Sequence, residues 1–214
     1  MISESPDNHD TDLTTTTGQP AWRVALFYPR QGSWTEADYL GLDGGPLVEF
    51  ENGAIEVLDM PSKEHQRIVQ FLYRWLFQFV STANLGEVFI APLPVRLWQE
   101  KYREPDVVFV RSGRQEHLGY PDGADLVIEV VSPDRESRRR DNVIKRSEYA
   151  RAKIAEYWIV DPEQQLIEVL VCDQVSQTYR QHGIFVAEQT ATSAMFSELA
   201  VGVDQVLTAG KLSP

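Results

Sequence analysis

Hydrophobic and polar positions recur with two different periods along this chain, and the switches between them mark its elements. Residues 35–41, TEADYLG, predict a short helix. Leu47–Phe50 and Ala54–Leu58 predict two strands joined by Glu51-Asn52-Gly53, because Asn-Gly supplies the positive φ angles of a tight hairpin turn. Ser62 predicts an N-cap for a helix to about Val80, with Ile68, Val69, Leu72, Leu76 and Phe79 on one face. Strands follow at about 87–91, 94–98, 105–110 and 125–131. A helix is expected from Ser137 to Ala152, then strands at about 156–160, 165–171, 177–180 and 184–187. Helices interleaved with strands in this order point to the α/β (α+β) class, with a mixed central sheet flanked by helices.

The first twenty residues, MISESPDNHDTDLTTTTGQP, break the pattern and read as a solvated, disordered polar tail. They lack a basic start and an apolar run, so no secretory signal is expected, and no later run is long enough for a membrane span. Residues 21–214 are then expected to form a single domain, with its core at about 62–172. Glycines 41, 44 and 45 are isolated and read as turns. Cys172 is the only cysteine, which excludes an internal disulfide, fits a reducing cytoplasm, and suggests a small core residue. The net charge of −12 opposes binding to phosphate backbones at long range, so any such binding depends on a local basic region.

Two acids stand where acids are costly. Asp106 follows Pro105 and opens Val107-Val108-Phe109-Val110, and Glu129 lies inside Leu126-Val127-Ile128-Glu129-Val130-Val131. Strands this apolar are usually buried on both faces, and a buried carboxylate needs a partner, a proton or a metal. If the two strands pair, roughly 5 Å apart, both carboxylates converge on one crevice and suit Mg²⁺ or Mn²⁺. The plainer alternative is that Asp106 begins a strand and Glu129 is a core acid paired with an arginine.

Beyond Pro133-Asp134 comes the most basic stretch of the chain, with Arg135, Arg138, Arg139, Arg140, Lys145, Arg146, Arg151 and Lys153. In an α-helix Asp141, Lys145 and Glu148 fall on one side, with Ile144, Ser147 and Ile154 near an opposite, inward stripe. Spacing alone favours a solvated helix with a weak Asp141–Lys145 pair. Position alters that balance, because a helix leaving the Glu129 strand can fold Lys145 back over the carboxylates, where an ammonium holds a scissile phosphate. Arg138, Arg139, Arg140 and Arg146 would contact nucleic-acid phosphates without reading sequence.

Here the chain resembles the Uma2 family of bacterial endonucleases, within the PD-(D/E)XK nuclease superfamily. The matching text is Pro105-Asp106, Asp125 through Pro133, Arg140-Asp141, Lys145, Tyr149-Ala150 and Glu156 through Pro162, with Glu64-His65-Gln66-Arg67 resembling the first core helix. The similarity spans roughly residues 35–172. It implies a restriction-endonuclease-like fold with an N-terminal hairpin extension, Asp106 and Glu129 as metal ligands, a cytoplasmic bacterial protein and a homodimer. One departure is Val131, which stands where the superfamily usually places a lysine two residues after the acid; Lys145 is the natural substitute.

Supporting candidates are His65, near the core edge of its helix, Glu49 on the hairpin, Asp141, and Tyr149 one turn after Lys145. Phe71, Trp75, Phe77 and Phe79 exceed what one helix face requires; core packing explains most of them and a dimer interface is the next explanation. No Gly-rich phosphate loop, Cys/His zinc spacing or serine elbow is present. Three readings follow: a Mg²⁺-dependent endonuclease acting on DNA, a nuclease-like binding or dimerising module without catalysis, and a hydrolase of smaller phosphodiesters.

Overall fold

The computed structural model describes residues 28–42, 47–114, 116–117 and 119–211. The expected polar tail and the turns at Gly44 and Gly45 lie outside the described residues. In chain order the elements are α1 (Glu36–Leu40), β1 (Val48–Glu51), β2 (Ala54–Val57), α2 (Lys63–Thr82), β3 (Gly86–Ile90), β4 (Val95–Trp98), β5 (Lys101–Arg103) and β6 (Val107–Arg111). There follow β7 (Glu116–His117), β8 (Tyr120–Pro121), β9 (Leu126–Val130) and α3 (Arg135–Arg139). A π-helical turn, Arg140–Lys145, runs directly into α4 (Arg146–Arg151). The chain closes with β10 (Glu156–Asp161), β11 (Leu166–Asp173), β12 (Thr178–Val186), β13 (Thr190–Thr192), β14 (Ala200–Gly202) and α5 (Val203–Gly210).

The main sheet has six strands in the order β12-β11-β10-β9-β6-β3. Only β9 and β10 pair in parallel, so the sheet is mixed, as the pattern predicts. Side-chain alternation divides its central strands cleanly. Val107, Phe109, Leu126, Ile128, Val130, Trp158 and Val160 face α2 and enclose Ile68, Val69, Leu72, Leu76 and Val80. Val108, Val110, Val127, Val131, Tyr157 and Ile159 face the other way, toward Tyr149 of α4. Helix α2 starts where Ser62 accepts a hydrogen bond from the His65 amide at 3.1 Å, a cap worth about 1 kcal/mol.

A second sheet, β2-β1-β5-β4, carries the hairpin. Asn52 and Gly53, at φ 46° and 80°, form its turn as the dipeptide demands. Strand β5, which hydrophobic patterning does not reveal, pairs with both β1 and β4 and is wholly buried although it reads Lys-Tyr-Arg. The expected strands at 177–180 and 184–187 are one strand, β12. The core also extends beyond residue 172, because Ala191, Leu199, Val201, Val203 and Val206 pack on the α2 side. Phe71, Trp75 and Phe79 are partly buried against this core, while Phe77 is exposed. Cys172 is buried and free. No described helix is long and apolar enough to cross a membrane.

The π-helical turn and α4 reverse one expectation. Asp141 and Lys145 are buried, whereas Ile144 is exposed and Ser147 lies on the outer side. The charged stripe faces inward because what it meets is also charged: Glu49, Arg103 and Glu129 supply partners that water would otherwise provide.

Candidate functional site

Strands β6 and β9 pair antiparallel with Val107 opposite Ile128. One further step in that register sets Asp106 beside Glu129 at the end of β6; Glu129 meets Tyr149 of α4, Asp106 meets His65 of α2, and both border one cleft. The Val130 amide donates to Asp106 Oδ2 at 2.7 Å, fixing that carboxylate at the end of the strand. His65, in the first turn of α2, reaches the same Oδ2 through Nε2 at 3.2 Å. Its Nδ1 is buried without a partner. Burial pulls the imidazole toward the neutral form, but the bond to Asp106 and the nearby Glu129 outweigh it and hold its pKa above the ordinary value.

Glu129 is 4% exposed. Its Oε1 accepts from Lys145 Nζ at 2.9 Å and from the Tyr149 hydroxyl at 2.6 Å. Lys145 also lies 3.2 Å from Glu49 and 3.6 Å from Asp141. Burial would push its ammonium toward neutrality, but Glu129, Glu49 and Asp141 hold it protonated. One cation shared among three acids leaves Glu129 under-compensated. Burial first, then the charges of Asp106 and Asp141, push it up to about 8 against the pull of Lys145. Glu49 has the opposite fate. Burial would raise it, yet Lys145 and Arg103 together hold it at about 2.

These groups line a cleft of about 50 Å³, which includes Glu104, Asp106, Glu129, Asp141, Arg140, Lys145 and His65. That volume exceeds the roughly 10–15 Å³ needed for a single water. A groove of about 480 Å³ adjoins it through His65, Val130 and Ser132. Among the described residues no hydrogen bond reaches Asp106 Oδ1 or Glu129 Oε2, since every bond to the two side chains falls on the other oxygen. Glu104 Oε2 and Asp141 Oδ1 are buried without hydrogen-bond partners. Five carboxyl groups, those of Asp59, Glu104, Asp106, Glu129 and Asp141, thus line the cleft with the cations Arg140 and Lys145, and their oxygens are of the type that suits a hard divalent ion. Among the described residues no three His, Cys, Asp or Glu side chains converge as a complete metal cage. Mg²⁺ does not require one, because it is commonly held by one or two carboxylates and keeps several waters.

The expected phosphate-binding arginines separate. Arg138 is engaged by Asp161 at 2.5 and 3.1 Å and by Glu163, and Arg146 lies 3.4 Å from Glu168. Arg139 is exposed, and Arg140 lines the cleft, bonded to Ser137 and Glu56. Residues that sequence reasoning missed are Glu104, which lines the cleft, and Lys101, Arg103 and Glu148 behind it. A strand reading Lys-Tyr-Arg carries no hydrophobic signal, so nothing in the pattern marks it as interior.

Val131, at the usual lysine position, is buried in the apolar cluster with Val127 and Tyr149. A lysine there would have its charge desolvated among hydrocarbon, whereas Lys145 reaches Glu129 from the end of the π-helical turn.

The fold is similar to that of a crystal structure described as "a putative nuclease belonging to DUF820" from Anabaena variabilis ATCC 29413. The two are 18% identical with a TM-score of 0.65, covering 83% of this chain and 99% of that one. No curated protein matches. A sequence profile described as "Uma2: Putative restriction endonuclease" matches residues 24–204, well over half of the chain. The chain therefore belongs to the Uma2 family.

Proposed function

We propose that this protein is a divalent-metal-dependent nuclease that hydrolyses phosphodiester bonds of nucleic acid, most simply DNA, with Asp106 and Glu129 as ligands for Mg²⁺ or Mn²⁺. The observation that carries this reading is the pair of unbonded carboxyl oxygens, Asp106 Oδ1 and Glu129 Oε2, beside one cleft lined by acidic side chains. Family membership and the fold support it. When bound, the ion supplies Lewis acidity toward a phosphate oxygen and lowers the pKa of a water.

The protein's own residues do the rest. Tyr149 and Lys145 bind one oxygen of Glu129 and so aim the other. The Val130 amide and His65 do the same for Asp106. Lys145 keeps a fixed positive charge at the wall where a phosphate gains charge during cleavage. The wider groove lies open for the strand, and exposed Arg135 and Arg139, on the helix that follows its lining residue Asp134, offer phosphate contacts. Asp59, Glu64, Asp134 and Glu163 line that groove, so affinity depends on these few local cations and falls with salt by about one unit of slope for each phosphate they neutralise.

A second reading, a nuclease-like nucleic-acid-binding or dimerising module without catalysis, draws on one observation: Lys145 already neutralises part of Glu129. Plasmid nicking with Mg²⁺ and with Mn²⁺ separates the two. The nuclease reading expects cleavage by the native protein and a loss of about 100-fold or more in folded Asp106→Asn and Glu129→Gln variants. Equal rates for native protein and Asp106→Asn would end it. Salt-sensitive binding without turnover in either metal would establish the module. Comparing a plasmid with a dinucleotide tests for a smaller substrate.

A further inference from the structure

The reactive-site lysine is anchored from outside the main sheet. Lys145 sits at the junction of the π-helical turn and α4. One of its carboxylate contacts, Glu49, belongs to β1 of the second sheet. Glu49 is fully buried and is itself held by Arg103 of β5, whose Nη1 lies 2.5 Å from Glu49 Oε2. The same guanidinium grips Glu148 of α4 with both remaining nitrogens, at 2.7 and 2.9 Å. Lys101, 2.6 Å from Glu148 and 2.6 Å from Glu51, closes the lattice. Arg103 thereby bonds at once to the strand residue that touches Lys145 and to the helix that carries it. A planar fork with fixed nitrogen directions can hold two such groups in one orientation, which a lysine's point charge cannot.

We propose that Arg103 is a positioning residue for Lys145: by joining Glu49 to Glu148 it fixes the angle between the second sheet and α4, and with it the place of the ammonium against Glu129. The inference rests on the nuclease reading, and it makes the second sheet a working part of the site. Placement matters because an error of about 1 Å in a catalytic group can cost about 100-fold in rate. A cavity of about 250 Å³, lined by Glu49, Glu51, Glu56 and Arg103, lies against the guanidinium. A small cation can therefore reach the position that Arg103 would leave.

The test uses the full chain with Arg103→Met, Arg103→Lys and Arg103→Ala, followed by steady-state cleavage of a Mg²⁺-loaded plasmid or oligonucleotide. Arg103→Met is expected to lower kcat about 100-fold with KM within about twofold, and Arg103→Lys to fall between it and the native protein. Methylguanidinium in millimolar amounts is expected to restore part of the rate of Arg103→Ala and to leave the native rate unchanged. A purely structural role would give no such rescue.

A second readout needs no turnover. Lys145 is 2% exposed, so brief acetylation mapped by mass spectrometry should spare it in the native protein and label it several-fold faster in Arg103→Met. A cooperatively unfolding Arg103→Met or Arg103→Lys with native kcat overturns the proposal, as does unchanged protection of Lys145 in a folded variant. If Arg103→Met does not fold, Arg103→Lys and rescued Arg103→Ala decide. If the native protein cleaves nothing, the nuclease reading fails while the acetylation result still judges the anchor.

Discussion

Replacing Lys145 with Met keeps the length of the side chain and removes its ammonium. The position is 2% exposed, and three acids lie within 2.9 to 3.6 Å of the Nζ atom. Removing one partner of a buried ion pair costs about 3–5 kcal/mol, because the charges left behind stay desolvated. For a chain of this size each kcal/mol moves Tm by about 2–4 °C, so the loss should be about 6–20 °C at about pH 8. The deficit must depend on pH in one direction. Glu129 is already pushed up to about 8 by burial, with Asp106 and Asp141 adding to it, and loss of Lys145 raises it further. Its ordinary value is 4.5. A group raised in the folded state favours folding below its unfolded pKa and loses that contribution as pH rises toward the folded one. Between its ordinary value and about 8 both proteins keep that proton and lose stability in parallel, so the Glu129 part of the deficit should open as pH rises through about 8, seen between about pH 6 and about pH 10, where the native protein releases the proton first. Circular-dichroism melts across this range measure the effect. The double variant with Glu129→Gln should recover more than about 1 kcal/mol of the loss, because it removes one stranded acid. A Lys145→Met protein that melts with the native one at about pH 8, or whose deficit is the same at every pH, would refute the argument.

Other outcomes follow from the same geometry. Because Glu129 keeps a proton up to about 8, metal must displace that proton, so stabilisation by Mg²⁺ should grow between about pH 6.5 and about pH 8.5 and vanish in Asp106→Asn; thermal shift with and without Mg²⁺ checks this. Arg139→Ala should reduce the salt slope of DNA binding by about one, whereas Arg138→Ala should leave the slope alone and lower Tm, since Arg138 serves Asp161. Glu156 accepts from the Trp158 indole, the Ser193 hydroxyl and the amides of Ala194 and Met195. Glu156→Leu should therefore cost about 3 kcal/mol or more, measured by urea titration, because several donors lose their partner together. A cost below about 1 kcal/mol would mean that those donors find other acceptors.

Much of the main sheet is legible in the sequence because burial on two faces leaves a written period. Strands β6 and β9 are largely Val, Leu, Ile and Phe, β10 carries Tyr-Trp-Ile-Val, and α2 carries its apolar stripe and its Ser62 cap in plain view. Asp106 and Glu129 stand out for the same reason, as charges set in hydrocarbon. The second sheet is half legible: Asn52-Gly53 announces the hairpin, while β5 is hidden because its interior is ionic. The inward face of the helix after β9 is misread on the same ground. A pattern of apolar positions locates cores made of hydrocarbon and is blind to one made of Lys101, Arg103, Asp141 and Lys145.

The chain by itself determined the strands, the helices and the two acids that interrupt an apolar run, because these depend on local periodicity and on the cost of burying charge. Only the tertiary structure decided which partner each charge takes. Arg138 turns to Asp161, Lys145 turns to Glu129, and Arg103 reaches two elements 54 and 45 residues away in sequence. An ion pair is worth little until burial removes competing water, and burial is a property of the packed whole.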